Sequence, residues 1–198
     1  MRIAVLVSGS GTILEAIVES IEVSAVLSDR PCRGLDVAAE HGIEAILVDR
    51  RNFGGFSRGF DREGYTRAVR DELVNRQVDL IAMAGFGTVL GHAIHETFEH
   101  RILNTHPALL PAFPGWHGVA DALAAGAQVS GCTVHLATLE MDAGPILAQA
   151  EVKVLDDDTE ASLHERIKQV ERQLYPATIA AAAAALAEGR PIQSIAEH

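Results

Sequence analysis

The 198-residue sequence holds only two cysteines, Cys32 and Cys132, with no C-x-x-C spacing between them. A disulfide framework or a cysteine-built metal site is therefore not expected, and a reducing cytosol suits the chain. No apolar run reaches the roughly 18 residues that a membrane span needs. The first seven residues meet a Ser/Gly turn at once. A secretory signal would run on through a longer apolar stretch to a small-residue cleavage site, so a buried first strand fits better. Positive charge is in deficit: the formal net charge is -11, which argues against a general nucleic-acid binder. An acidic chain that binds a phosphate must build the attraction locally. No internal repeat is visible. With 48% hydrophobic and 22% charged residues, the composition fits one domain over residues 1–198 with a sizeable core, split into an α/β half over 1–100 and a second half over 101–198.

What is present alternates. Ile3 to Val7 is a continuous apolar run, as in a strand buried on both faces. Ser8 to Thr12 is a turn, followed by a helical pattern through Leu14, Ile17, Val18 and Ile21. Val23 to Leu27, Ile43 to Val48 and Leu80 to Ala84 read as further strands, with helices over Leu35 to His41 and Tyr65 to Asn75. Asn52 to Gly59 reads as a loop. After a fifth strand over Arg101 to Asn104, the character changes. Thr105 to His117 carries Pro107, Pro111 and Pro114, too many for a helix interior or a central strand. Val129 to Ala137 and Ile146 to Val154 are strand-like and suited to antiparallel pairing. Asp158 and Thr159 can cap a helix striped by Leu163, Ile167, Val170 and Leu174. Pro176 interrupts it, and Ala177 to Ala187 forms a further helix ended by Gly189. The fold class is α/β: a mainly parallel, Rossmann-like sheet with flanking helices, an antiparallel C-terminal strand extension and terminal helices.

Six features carry chemistry. Ser8-Gly9-Ser10-Gly11-Thr12 lies between a strand and a helix, where glycines let the backbone approach a ligand and the helix start offers unpaired N–H groups. It is either a phosphate or nucleotide site or a plain tight turn. No Walker lysine follows, and Asp29 stands near where a ribose-binding acid would be. Asn104 and His106, two residues apart just past a buried strand, point to one side of an extended backbone. They can stabilise an oxyanion and move a proton, or simply tie down the loop. Asp142 sits in a turn, where Asp commonly caps its own backbone. His117 and His135 are further candidates, His135 as a hydrogen-bonded supporting residue. Glu171 lies on or beside an apolar helix stripe and so needs a partner, a salt bridge or a ligand hydroxyl. Arg50, Arg51, Arg58, Arg62 and Arg67 cluster within or beside the Gly54-Gly55 loop, either meeting an anionic ligand or solvated.

Taken in order, these segments resemble the phosphoribosylglycinamide formyltransferases of purine synthesis. The matching pieces are Val7 to Thr12, Ala84-Gly85-Phe86, Leu103 to Pro111 with Phe113-Pro114-Gly115, Gly131 to His135, Met141 to Ile146, and Glu171 before Tyr175-Pro176. The proline-rich loop and the later Asp-Ala-Gly-Pro mark the folate-dependent formyltransferase superfamily; the glycine turn and Glu171 narrow it. The resemblance implies an enzyme of IMP biosynthesis that moves formyl from 10-formyltetrahydrofolate to the amine of 5-phosphoribosylglycinamide, with no metal, nucleic acid or membrane. A cytoplasmic monomer or homodimer is implied. Asn104, His106 and Asp142 match the catalytic trio. Gly11, Thr12 and Ile13 match the phosphate-holding segment and Glu171 a ribose contact. Gly87, Thr88, Val89 and Leu90 match the loop along the folate pterin, where Asn104 also contributes, and Arg62 matches a basic contact to the folate. The chain departs from the family pattern at Ile13, often Asn, at Gly87-Thr88, often Met-Arg, and at Ala108, often Ser.

Other readings are a nucleotide-sugar formyltransferase and a non-catalytic dinucleotide-binding module using Gly9, Gly11 and Asp29. An enzyme of formyl-methionyl-tRNA synthesis would need a further RNA-binding domain, for which little chain remains after Ala187. A formyltetrahydrofolate hydrolase would carry a regulatory domain before strand one.

Overall fold

The computed structural model describes residues 1–197 and divides the chain into two compact units, residues 1–103 and the chain from Asn104 onward. The first unit contains strands β1 (Ile3–Val7), β2 (Ala25–Ser28), β3 (Glu44–Leu47) and β4 (Leu80–Met83). They lie in the order β3-β2-β1-β4, all parallel, with β5 (Ile102–His106) entering beside β4. Every residue of β1 and β2 is buried, which accounts for their unbroken apolar runs. β3 stands at the edge, and only Ile46 of its four residues is buried.

Helices α1 (Thr12–Val18), α2 (Arg33–Glu40), α3 (Arg62–Asn75) and α4 (His92–Thr97) complete this unit. α1 buries Ile13, Leu14 and Ile17 and stops short of Ile21, while α3 buries Tyr65, Val69 and Leu73. The Asn52 to Gly59 loop is preceded by a 3-10 turn over Arg50–Phe53, whose first N–H groups include one held by Asp49.

The second unit starts on the end of β5, beside which lie β6 (Val129–Leu136) and then β7 (Ile146–Lys153), antiparallel to each other. α5 (Gly118–Ala124) and α6 (Glu160–Ala187) pack here, around Val119, Cys132, Val152, Leu163 and Ile167. α6 corrects the sequence reading: it is one 28-residue helix with Pro176 inside it, not two helices. Proline in a helix interior costs about 3 kcal/mol, and the alanines that follow have the highest helix propensity of any residue, so the helix runs through. The N-terminus of α6 is fixed by a reciprocal box in which Thr159 Oγ1 accepts from Ser162 N–H and Ser162 Oγ accepts from Thr159 N–H. Its end closes on Gly189, at φ 69, with Arg190 N–H reaching the Ala185 carbonyl.

Candidate active site

Asn104 and His106 are alternate residues of β5, so their side chains leave one face of the strand and Thr105 leaves the other. The strand runs on through His106, two residues beyond the sequence expectation, because Pro107 pushes its predecessor toward extended backbone. His106 is thus not on an exposed loop: it is only 4% exposed. Its Nε2–H donates to the Phe113 carbonyl at 2.8 Å, since a carbonyl can only accept. Its Nδ1 lies 3.4 Å from Asp142 Oδ2. In the imidazolium form both ring N–H groups therefore face acceptors.

Asp142 stands in the turn between β6 and β7 with a left-handed φ of 55°. Its carboxylate is buried. Oδ2 accepts the Gly115 N–H at 2.8 Å, and Oδ1 lies 3.5 Å from His135 Nε2. Burial by itself raises a carboxyl pKa, but the His135 contact, the Gly115 amide and the charge of His106 outweigh it and hold Asp142 below its ordinary value. His135 supplies the link to Asn104. Its Nδ1–H donates to the Leu136 carbonyl at 2.9 Å, so in the neutral ring Nε2 accepts from Asn104 Nδ2 at 3.2 Å. The amide of Asn104 is oriented by that bond and keeps its second hydrogen for something else.

The surrounding backbone is shaped for this cluster. Among the described residues four non-glycine residues have positive φ, and two of them, Phe113 and Asp142, are the two partners of His106. Backbone strain at a few residues about one side chain is a mark of functional sites. Three glycines leave room that a Cβ would fill. At Gly118 it would stand 2.9 Å from His106 Nε2 and 2.9 Å from the Phe113 carbonyl oxygen. At Gly144 it would lie 1.7 Å from the Leu136 carbonyl oxygen, and at Gly131 it would lie 2.0 Å from that of Ala150. The proline-rich loop is tied to β6 and β7 by Thr133, whose hydroxyl donates to the Ala108 carbonyl at 2.7 Å and accepts from Leu110 N–H at 3.0 Å and from Gln149 Nε2 at 2.9 Å.

In the first unit, Gly11 caps α1 in the left-handed conformation, φ 78°, with no side chain closing the helix start. A Cβ there would meet Gly34 Cα at 3.0 Å. Ile13 points inward and is buried, so only its backbone N–H is presented at the turn. Thr12 is half-buried, its hydroxyl 3.5 Å from that of Ser10. Asp29 is fully buried, and both its oxygens are engaged. Arg30 Nε and Nη2 donate to it at 2.9 and 3.0 Å, and Thr88 Oγ1 donates at 2.7 Å. With Asp29 0% exposed and held by these donors, its carboxylate is not open to a ribose, so the dinucleotide reading loses its key residue. The segment 87–90 is pinned along its length: Gly87 N–H donates to Ser8 Oγ at 2.6 Å, Thr88 bonds Asp29, and Arg62 Nη2 donates to the Leu90 carbonyl. Val89 is half-buried.

Glu171 lies on α6 and is 7% exposed. Among the described residues no Lys or Arg forms an ion pair with it, which removes the salt-bridge alternative. Burial raises its pKa, offset in part by the nearby Thr105 hydroxyl, although Thr105 Oγ1 itself is buried without a partner in hydrogen-bonding geometry. Burial, and secondarily the charge of Glu171, pushes the Cys132 thiol up to about 12, leaving it an unreactive core residue. His117 is exposed and stands just before α5. Among the described residues no group of three His, Cys, Asp or Glu side chains could hold a metal ion, and no helix is long and apolar enough to cross a membrane.

An Asn–His–Asp–His array at the carboxyl end of a sheet strand, with Asn104 half-buried and the two imidazoles and the carboxylate buried, suits acyl transfer through an oxyanion, and the comparisons with known proteins agree. Residues 1–179 match the formyl transferase family. The chain is 44% identical over 188 residues to the phosphoribosylglycinamide formyltransferase of Mycobacterium tuberculosis, covering 92% of this chain and 85% of that protein. It is 33% identical over 186 residues to that of Bacillus subtilis, covering 90% and 92%. The crystal structure of glycinamide ribonucleotide transformylase 1 from Symbiobacterium toebii superposes with a TM-score of 0.82 at 40% identity, covering 89% of this chain and 84% of that one. The chain belongs to the formyl transferase family. Its relatives within it are the enzymes that formylate glycinamide ribonucleotide.

Proposed function

We propose that this protein is a phosphoribosylglycinamide formyltransferase of purine synthesis, acting in the cytoplasm. The observation that carries the reading is the array in which His135 is hydrogen-bonded to Asn104 and the Asp142 carboxylate lies beside both His135 and His106, in a chain of this family. Bound 10-formyltetrahydrofolate supplies an electrophilic formyl carbon; the amine of 5-phosphoribosylglycinamide attacks it, and the tetrahedral intermediate collapses by breaking the bond from that carbon to N10, with the proton lost by the amine ending on N10 so that tetrahydrofolate leaves. The remaining amide hydrogen of Asn104 donates to the oxygen on which negative charge develops. His106, charged and backed by Asp142, is the second donor. Its Nε2–H is held by the Phe113 carbonyl, so it must exchange that acceptor for the formyl oxygen when the site is filled. Asp142 stays ionised, stabilises the imidazolium and keeps the ring oriented. His135 is a positioning residue: it sets the amide of Asn104.

Gly11, Thr12 and Ile13 hold the substrate phosphate through backbone N–H groups, a reading supported by the uncapped helix start and the inward Ile13 side chain. Glu171 accepts from ribose hydroxyls, supported by its burial without an ion-pair partner. Gly87 to Leu90, Asn104 and Arg62 contact the folate. A formyl-transfer assay with glycinamide ribonucleotide and 10-formyltetrahydrofolate, run beside an amino-sugar nucleotide acceptor and an NAD titration, tests the whole reading. Transfer to the ribonucleotide alone is the expected result. Transfer only to the sugar nucleotide, or NAD binding without transfer, overturns it.

A further inference from the structure

The arginine cluster around the Gly54-Gly55 loop divides sharply by environment. Arg51 is neutralised by Asp49, with Nη2 to Oδ2 at 2.6 Å, and Arg30 by Asp29. Arg58 and Arg67 are exposed. Arg50 differs from all of these. It is half-buried, and among the described residues no carboxylate forms an ion pair with it. Its Nε donates to the Gly55 carbonyl at 2.7 Å and its Nη1 to Thr88 Oγ1 at 2.8 Å. Because the Thr88 hydroxyl donates its hydrogen bond to Asp29, Arg50 is linked to that carboxylate only through Thr88, and Arg30 is already ion-paired with it.

The rings of Phe56 and Phe60 lie 4.2 and 3.8 Å from the Arg50 guanidinium carbon. Such stacking fixes the plane of the group without neutralising its charge. What remains for a ligand is the N–H edge: among the described residues the Nη2 donors and the second Nη1 hydrogen have no hydrogen-bond partner. Burial presses its pKa down, opposed by the nearby negative charge of Asp29 and reinforced by the positive charge of Arg30. A planar, edge-on pair of N–H donors of fixed orientation matches a carboxylate. The group sits against Thr88, within the segment that contacts folate in the reading above.

We propose that Arg50 is a specificity-determining residue for the co-substrate and binds a carboxylate of the glutamate tail that reduced folates carry. The assignment rests on the folate reading of segment 87–90. Among the described residues Arg58, Arg62 and Arg67 also form no ion pair, but Arg58 and Arg67 are exposed and Arg62 is anchored to the Leu90 carbonyl, so the assignment gives a role to the half-buried, stacked Arg50 and places a counter-charge for a polyanionic co-substrate on a chain of net charge -11.

The test is calorimetric titration of the full chain with three ligands: tetrahydrofolate, tetrahydropteroate, which lacks the glutamate, and glycinamide ribonucleotide. Arg50→Gln should weaken tetrahydrofolate by about 10-fold or more and leave the other two within about 3-fold. Arg50→Lys should recover part of the loss, and Arg51→Gln should change nothing. Equal weakening of tetrahydrofolate and tetrahydropteroate would mean that Arg50 acts by holding the segment, and overturns the proposal. So does selective weakening of the ribonucleotide, which would assign Arg50 to its phosphate, and so does no weakening at all. Should Arg50→Gln fail to fold, Thr88→Val, which removes the hydroxyl anchor and keeps the charge, must weaken tetrahydrofolate selectively or the assignment falls. A wild-type protein that binds neither pterin refutes the folate reading itself, a result visible before any variant is made.

Discussion

Asp142→Asn isolates charge from shape at the centre of the array. The substituted side chain is isosteric, and its oxygen can still accept the Gly115 N–H that Asp142 Oδ2 accepts at 2.8 Å. What disappears is a negative charge 3.4 Å from His106 Nδ1. At an effective dielectric of about 20, two unit charges at that separation attract by about 5 kcal/mol, which is a ceiling on the pair. Only the part realised as charge develops in the transition state enters the rate. If about half does, turnover falls by about 10²-fold, since each 1.36 kcal/mol or so is a factor of ten. The assay is kcat and KM for both substrates at neutral pH, on a variant shown to be folded by its thermal transition. We expect kcat to fall by about 10²-fold or more with each KM within about 3-fold, the pattern of an interaction made in the transition state and not in the ground state. A folded variant with kcat within about 3-fold of wild type would refute the electrostatic role and leave Asp142 as a turn residue.

Four other outcomes follow from the geometry. Gly118→Ala places a Cβ 2.9 Å from His106 Nε2, so it should lower kcat by about 10-fold or more with little change in the far-ultraviolet circular dichroism; unchanged kinetics would mean that the His106–Phe113 bond is irrelevant to catalysis. Gly11→Val, which crowds Gly34 at a left-handed position, should weaken glycinamide ribonucleotide by about 10-fold more than it weakens folate in equilibrium titrations; equal weakening counts against a phosphate site at the turn. Glu171→Gln should raise the ribonucleotide KM by about 10-fold and also raise the melting temperature at neutral pH. Burial lifts the folded pKa of Glu171 above its unfolded value, so ionising it costs stability as pH rises through that interval, and a drop in melting temperature would instead indicate an ion pair. Asp142 has the opposite sign: its folded pKa lies below its unfolded value, so its contribution is complete above the unfolded value and is lost as pH falls through the folded one. Melting temperature against pH should therefore fall less steeply on the acid side in Asp142→Asn than in wild type, and parallel curves would contradict the depressed pKa.

The elements legible from sequence were those whose burial is uniform or strictly periodic. β1 and β2 read as unbroken apolar runs because both faces are covered, and β6 and β7 were placed within a residue or two. α4 and α5 were missed because each is under two full turns, too short for a 3.6-residue stripe to register, and neither begins on a side-chain cap. α6 was cut at Pro176 because the rule against interior proline is local, whereas the helix is held by its box at Thr159, its buried face from Leu163 to Ile179, and the alanines beyond. His106 reads as a loop residue for a similar reason: in sequence Pro107 marks the edge of irregular structure, whereas its effect on the residue before it is to extend the strand.

The site itself was legible as residue types and not as connections. Asn104, His106 and Asp142 carry chemistry that can be named from their side chains. Two of the three bonds that hold them in place run to backbone atoms, the Phe113 carbonyl and the Gly115 N–H, and backbone atoms are the same in every sequence. The directions of those atoms are set by left-handed φ values at Phe113 and Asp142, where neither residue announces such a conformation as glycine would. The third bond runs through His135, whose alternation with Val134 and Leu136 in β6 marks it as an inward side chain without saying what it meets. The same limit explains Arg50. Its position in a run of arginines resembles that of Arg51, and only the fold separates them, giving Arg51 a carboxylate and Arg50 two aromatic rings and a hydroxyl. A cation stacked and oriented in this way, with donors unpaired among the described residues, is pre-organised for an anionic ligand.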